Sequence, residues 1–379
     1  MRLLVIVSGD YGELGTAMYF LQGLQSTEGP VLLLPASLAH TMPATPGLEV
    51  RTYAGLADIR RAIIQARPDA ALLASGYILP INAGLSLLDS IRLLRFLRRQ
   101  RVTLLTSDPF LGLLRDIAAL DFRGLHGKAS NRPDAFVESW RNIYRLFLMR
   151  FQLRRAWHIY PAPTERMRPE PGARRLSYFN AAAQCAPQVA AADGEQRPAW
   201  LFVLSKTDFE MHVRAQGERF VAQIIDRLEE SIALGRNALL IGPQELVDMV
   251  RARLGNRVGT TSHGDTTYAG YMRSLMAAEY VFFWNFYSFS LIHRVLANRP
   301  VFFFDEGHMV HILPAIGQEG IRLFYDGWRP PVLPLDRPLD ARELARREPD
   351  MRRQFERIVD GLRRCPSPHE LLQRATRSP

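Results

Sequence analysis

Apolar residues fall in short runs that alternate with helical periodicity along most of the chain. In the N-terminal part the runs are Leu3–Val7, Val31–Leu34, Glu49–Tyr53, Ala70–Ala74 and Val102–Thr106. All but Glu49–Tyr53 are bounded by Pro, Asp, Ser or a charged residue, as buried strands are. Between them Gly15–Gln25, Ala57–Ala66 and Gly84–Arg99 carry apolar positions at helical spacing, and residues 134–158 read as one long helix. Strand–helix alternation of this kind implies a parallel sheet covered by helices on both faces. The stretch Tyr160–Pro198 is rich in Pro, Ala and Gly and reads as a crossing, with a strand near Leu176–Phe179. A second series follows, with strands at Trp200–Leu204, Ala238–Ile241, Val258–Thr261, Tyr280–Trp284 and Val301–Phe304. Its helices fit Phe209–Ala233, Gln244–Leu254, Thr267–Ala277 and Phe289–Ala297, and the tail Asp340–Ala375 is helical, polar and basic. The outline is a first α/β domain over 1–160, a linker over 161–198, a second over 199–330 and a helical tail over 331–379.

Length and composition agree with this outline. The 379 residues are 47% hydrophobic, enough for two cores. The net charge of +10 points to phosphate-bearing partners, or simply to an arginine-rich composition. Cys185 and Cys365 are far apart and in no metal spacing, so neither a disulfide framework nor a zinc site is expected, and a reducing compartment fits. The N-terminal run reads as a first strand rather than a signal peptide. No apolar stretch approaches the roughly 18 residues of a membrane span. A cytoplasmic protein is expected, with peripheral contact at the inner face of a membrane as an option. No zinc-finger, helix-turn-helix or RNP-like signature supports a nucleic-acid partner.

Ligands of open parallel sheets bind beyond the carboxyl ends of the strands, so the residues after each run carry the chemistry. The first run feeds into Ser8-Gly9-Asp10-Tyr11-Gly12-Glu13-Leu14-Gly15. A dinucleotide fingerprint needs G-x-G-x-x-G and an acid about 20 residues on. Here the glycines are spaced G-x-x-G-x-x-G, and the second strand ends Leu34-Pro35-Ala36-Ser37 without an acid. Gly9 and Gly12 still permit close backbone approach. Asp10 and Glu13 are candidate general bases for a hydroxyl, or caps of the following helix. Asp108, after the fifth run, is placed to orient an acceptor or to open an Asp-Pro turn. Ser205 and Lys206 follow the first strand of the second series and suit a diphosphate. Lys206 reads equally as a surface lysine. Ser288 and Ser290 open a helix, with His293 one turn further in, and Asp305-Glu306-Gly307 ends the last strand.

The segment "NFYSFSLIHRVLANRPVFFFDEG" resembles the nucleotide-sugar half-site of GT-B glycosyltransferases. The resemblance implies an α/β fold of two Rossmann-like doubly wound domains facing a central cleft, with C-terminal helices packing back. It implies that the second domain binds a nucleotide-diphosphate-sugar donor through Ser205, Lys206, Ser288, Ser290, His293, Asp305 and Glu306. His293 stands where such enzymes commonly carry an acid that grips the ribose. The first domain would hold a glycan or lipid-linked acceptor near Gly9, Gly12 and Asp108, with Asp10 or Glu13 as the base. The opening loop also loosely resembles the Gly-rich acceptor loop of lipid A disaccharide synthase-like transferases. No D-x-D metal motif is present, and the resemblance implies a metal-independent reaction with no cofactor beyond the donor. Two other readings stay open: a catalytically silent scaffold on the same fold, which the non-standard His293 favours, and a sugar-nucleotide epimerase.

Two helical stretches bear on partners. In "SIRLLRFLRRQR" (Ser90–Arg101) Arg92, Arg95, Arg98 and Arg99 group opposite the apolar face. A basic face of this kind lies on anionic lipid or is simply solvated. In Arg141–Trp157 the basic positions go round the wheel, which argues against a membrane helix there.

Overall fold

The computed structural model describes residues 1–9, 11–24, 29–42, 45–82, 85–107, 133–164, 174–185, 198–312 and 314–377. Asp10 and Asp108 therefore lie outside the described residues. The described residues divide into two compact units. The first draws on Met1–Leu120, Asp134–Gln184 and Asp360–Pro379, and the second on Cys185–Val359.

The first unit is built on seven parallel strands: β1 (Leu3–Ile6), β2 (Val31–Pro35), β3 (Glu49–Tyr53), β4 (Ala70–Leu73), β5 (Thr103–Thr106), β6 (Trp157–Tyr160) and β7 (Arg174–Ser177). Their order is β3-β2-β1-β4-β5-β6-β7. The order reverses between β1 and β4, so the carboxyl end of β1 sits at a switch point. β1, β2 and β4 are buried along their whole length, as strands covered on both faces must be. The helices are α1 (Tyr11–Gln22), α2 (Leu56–Ala66), the short α3 (Leu79–Asn82), α4 (Leu87–Arg99) and α5 (Pro133–Leu153). α4 is opened by Ser86, whose hydroxyl accepts from Asp89 N at 3.1 Å.

The second unit has five parallel strands: β8 (Ala199–Val203), β9 (Asn237–Gly242), β10 (Gly259–Ser262), β11 (Tyr280–Phe283) and β12 (Val301–Phe303), in the order β10-β9-β8-β11-β12. The reversal lies between β8 and β11. Register pairs Trp200 with Tyr280, Phe202 with Phe282, and Phe282 with Phe302, so alternate residues of three strands share one face. That face is aromatic: Phe202 and Phe282 stack at 4.6 Å, and Phe282 and Phe304 at 5.5 Å. Rings of this size dominate core energetics. The helices are α6 (Lys206–Gln216), α7 (Glu218–Ala233), α8 (Gln244–Leu254), α9 (Tyr268–Ala277), α10 (Leu291–Leu296), α11 (His308–Ile312), α12 (Pro314–Phe324) and α13 (Ala341–Leu362). α14 (Pro368–Arg377) closes the chain in the first unit.

At the amino ends of β11 and β12 the guanidinium of Arg294 is fully buried. It donates to the carbonyls of Leu275 (3.1 Å), Ala278 (2.8 Å), Glu279 (3.0 Å) and Pro300 (2.7 Å). Burial, then the charges of Arg299 and Arg352, push it down to about 9.

The structure differs from the sequence expectation over several stretches. The helix expected over 134–158 stops at Leu153, and Trp157–Tyr160 is a strand of the first sheet. Of the linker expected over 161–198, the described residues 161–164 and 174–184 belong to the first unit. Tyr178 is fully buried against Phe20, with ring centroids 5.1 Å apart, and Asn180 Nδ2 donates to Tyr19 O at 2.7 Å. The tail expected over 331–379 divides: residues to Val359 belong to the second unit and the rest to the first. There Leu371 and Leu372 are buried, and Phe179 N donates to Pro366 O at 2.8 Å. Finally, Phe209–Ala233 is two helices broken at Gly217, whose φ of +63° suits glycine.

Candidate functional site

The carboxyl ends of β8, β11 and β12 bring a carboxylate–histidine cluster together. Ser205, just past β8, caps α6: its hydroxyl accepts from Asp208 N at 3.1 Å and donates to Asp208 Oδ2 at 2.6 Å. The Asp208 carboxylate is buried. Asn285, past β11, donates to its Oδ2 at 3.4 Å. Its Oδ1 accepts from His308 N at 2.8 Å and from His308 Nδ1 at 2.7 Å. Burial alone would raise the Asp208 carboxyl; the bonds from His308 and Ser205 outweigh it and hold the group below the usual carboxylate range.

Asp305, past β12, makes the second half of the cluster. His212 Nε2 from α6 lies 2.7 Å from its Oδ2, and His311 Nε2 from α11 lies 2.7 Å from its Oδ1. Burial opposes ionisation, but the two imidazoles hold the carboxyl well below its ordinary value. The bond to Asp305, against partial burial, raises His311 above the ordinary histidine range. Glu306 accepts from Arg329 Nε at 2.9 Å. Gly307 turns the chain from β12 into α11 with φ +98°; a Cβ there would meet Asn285 Cγ at 2.7 Å. Among the described residues no group of three or more His, Cys, Asp or Glu is arranged to hold a metal ion.

Of the residues singled out in the sequence, Ser205, Asp305 and Glu306 stand in or beside this cluster. Lys206 is exposed, 3.9 Å from Glu210 Oε1. Ser288 and Ser290 follow β11; their hydroxyls lie 2.9 Å apart, and Ser290 Oγ is 2.7 Å from Tyr271 Oη. The helix after them starts at Leu291 and is six residues long, without a side-chain cap. His293 is buried, and burial pushes its imidazole down to about 4. The sequence reading missed Asp208, His212, His308, His311, Asn285 and Arg329. The available signal was His308 and His311, one helical turn apart directly after the last strand.

In the first unit the carboxyl end of β1 runs through Ser8 and Gly9 into α1, which starts at Tyr11 rather than at Gly15. Gly12 therefore lies in the first helical turn rather than in a loop. Glu13 is buried and reaches back to the turn. Its Oε2 accepts from Ser8 N at 2.5 Å and Gly9 N at 3.2 Å, and its Oε1 accepts from the Ser8 hydroxyl. This is the geometry of a helix-opening carboxylate. One concavity, lined by Met1, Arg67, Asp69, Val102 and Thr376, is at the amino ends of this sheet. Another, lined by Pro198, Glu279, Arg299 and Arg352, is at the amino ends of the second. Ligands of such sheets bind at the opposite ends, so neither concavity is taken as the site.

No family model and no curated protein matches the chain. Solved structures match it over its full length. Os79 from O. sativa in complex with UDP has a TM-score of 0.59 at 12% identity, covering 100% of this chain and 99% of that one. UGT2 of Phytolacca americana, complexed with UDP-2fluoro-glucose and pterostilbene, has a TM-score of 0.54 at 13% identity, with the same coverage. UDP-GlcNAc 2-epimerase of Methanocaldococcus jannaschii, in complex with UDP-GlcNAc and UDP, has a TM-score of 0.52 at 8% identity and covers 100% of both chains. The fold is thus GT-B-like, with two Rossmann-like domains.

Proposed function

We propose that the protein is a glycosyltransferase that uses a nucleotide-diphosphate-sugar donor. The carrying observation is the carboxylate–histidine cluster at the carboxyl ends of β8, β11 and β12, on either side of the strand reversal, where a doubly wound sheet takes its ligand. His308, oriented through Nδ1 by Asp208, and Lys206 serve the departing diphosphate, together with Ser288 and Ser290 past β11. Asp305 and Glu306 serve donor hydroxyls. The reaction needs no metal on this reading, because the leaving-group charge is met by these donors. An acceptor hydroxyl, held by the first unit, attacks the anomeric carbon as the bond from that carbon to the diphosphate oxygen breaks. Its proton passes to a base. Glu13 is engaged with the turn at Ser8 and Gly9, so the reading assigns the base to Asp10. A glycan or lipid-linked acceptor agrees with the basic surface.

The test is a thermal-shift series with UDP, dTDP, UDP-glucose and UDP-GlcNAc, followed by donor turnover with and without a panel of acceptors. Stabilisation by a nucleotide and acceptor-dependent release of nucleoside diphosphate are expected. No stabilisation by any of them sinks the reading. Conversion of UDP-GlcNAc alone would instead establish an epimerase, a reading favoured by the full-length likeness to the archaeal epimerase.

A further inference from the structure

Helix α5 is apolar on two opposite faces. Leu146, Met149 and Leu153 recur at i, i+3 and i+7 and are buried. Tyr144, Phe147 and Phe151 recur at the same spacing two residues out of step, which is about 200° round the helix. They are 59%, 61% and 57% exposed. A helix that is apolar all round is ordinarily buried all round. Three large rings in one exposed row make a patch rather than a scatter of surface apolar residues.

Arginines frame this row. Arg141, one turn before Tyr144, is exposed, as are Arg154 and Arg155 beyond Phe151. The Arg154 guanidinium lies 4.5 Å over the Phe151 ring. Helix α4 adds a second set. Arg98 donates to Gln152 Oε1 at 3.4 Å and also to the Gln152 carbonyl, so the last turns of α4 and α5 lie side by side. Arg95 and Arg99 are exposed on α4. Partial burial, and then the nearby charges of Arg155, Arg95 and Arg154, hold the Arg98 guanidinium below its ordinary value. Like charges have thus been gathered round an apolar centre.

We propose that this face of the first unit docks on an anionic phospholipid bilayer, with Tyr144, Phe147 and Phe151 in the interface and the arginines at the level of the lipid phosphates. Charge complementarity chooses the occupant. A second copy of the chain, related by two-fold symmetry, would set this patch against itself and arginine against arginine. A bilayer interface offers the pairing the patch asks for: apolar depth beneath a plane of negative charge. The sequence wheel marked α4 and discounted α5. The exposure of the rings, not the distribution of the arginines, marks α5. The proposal stands on α4 and α5 alone and is independent of what the second unit binds.

Cosedimentation of the full chain with vesicles tests it, using phosphatidylcholine alone and an equimolar mixture with phosphatidylglycerol. Binding to the mixed vesicles only is expected, weakening several-fold as salt is raised. The variant Tyr144→Ser/Phe147→Ser/Phe151→Ser should bind at least tenfold more weakly with unchanged circular dichroism and melting, because these side chains are exposed. Arg95→Glu/Arg154→Glu should do the same. The proposal is overturned if the wild type binds neither vesicle, or if both variants bind as it does. It is also overturned if the wild type is a dimer in solution that the serine variant dissolves and no vesicle binding is seen.

Discussion

Asp208 Oδ1 takes two hydrogen bonds from one residue, His308: one from Nδ1 at 2.7 Å and one from the backbone N–H at 2.8 Å. The pair fixes both the ring and the start of α11, and leaves Nε2 as the ring's remaining polar atom. Removing the carboxylate would strand several donors at once. Asp208→Ala should therefore cost about 3 kcal/mol or more, as loss of a buried charged acceptor does, read by denaturant unfolding. His308→Gln should cost less stability than Asp208→Ala and weaken UDP binding about tenfold, the worth of one charge-assisted bond. Calorimetric titration separates the two. Equal UDP affinity in His308→Gln and wild type would remove His308 from the donor site.

Asp305 gives a pH signature. Its carboxyl is held below the unfolded value, so its stabilisation is present above about pH 4 and lost as pH falls through the folded value. His311 is held above the unfolded value, so its stabilisation is complete below about pH 6.5 and fades as pH rises through the folded value. The pair is strongest between those limits. The melting-temperature gap between wild type and Asp305→Asn should peak in that window and narrow on both sides. The alkaline narrowing should be the smaller, because the His311 side chain is half exposed and screened. A gap that is flat from pH 4 to 9 would contradict the pairing.

The two carboxylates near the end of β1 should separate by phenotype. Glu13→Gln weakens the bonds that hold Ser8 and Gly9, so the melting temperature should fall by several degrees. Asp10→Asn should leave melting and UDP binding unchanged while slowing transfer about 100-fold or more, the usual worth of a general base. If Glu13→Gln melts normally and is inactive, the base is Glu13 rather than Asp10.

His293 predicts an acid limb. Its folded value of about 4 lies below the unfolded one, so the unfolded chain binds the extra proton first as pH drops. Stability from this group falls between about pH 6.5 and 4, by about 3 kcal/mol in all. His293→Leu should flatten that part of the stability–pH curve, as measured by urea unfolding at each pH. An unchanged acid limb would mean that the ring is not buried neutral.

Much of the frame was legible in the sequence because parallel strands buried on both faces must be short apolar runs. Leu3–Ile6, Ala70–Leu73 and Tyr280–Phe283 are such runs and sit within a residue of where periodicity put them. Trp157–Tyr160 was missed because helical spacing continues through Arg155 and the connection is only a few residues long. Within the site, looking just past each strand found Ser205, Asp305 and Glu306. Asp208, His212, His308 and His311 escaped because they project from helices, where a histidine or an aspartate reads as a solvated position. Only the three-dimensional fold sets α6 against α11, and those helices are close neither in sequence nor in pattern.

Arg294 grips four carbonyls that precede β11 and β12. The consequence is a separation between what fastens the second sheet and what equips it. The lashing is at the amino ends, and every cluster residue stands past the carboxyl ends. The loops after β8, β11 and β12 can therefore be rewritten, by evolution or by a designer, without unpicking the knot that keeps the strands in register.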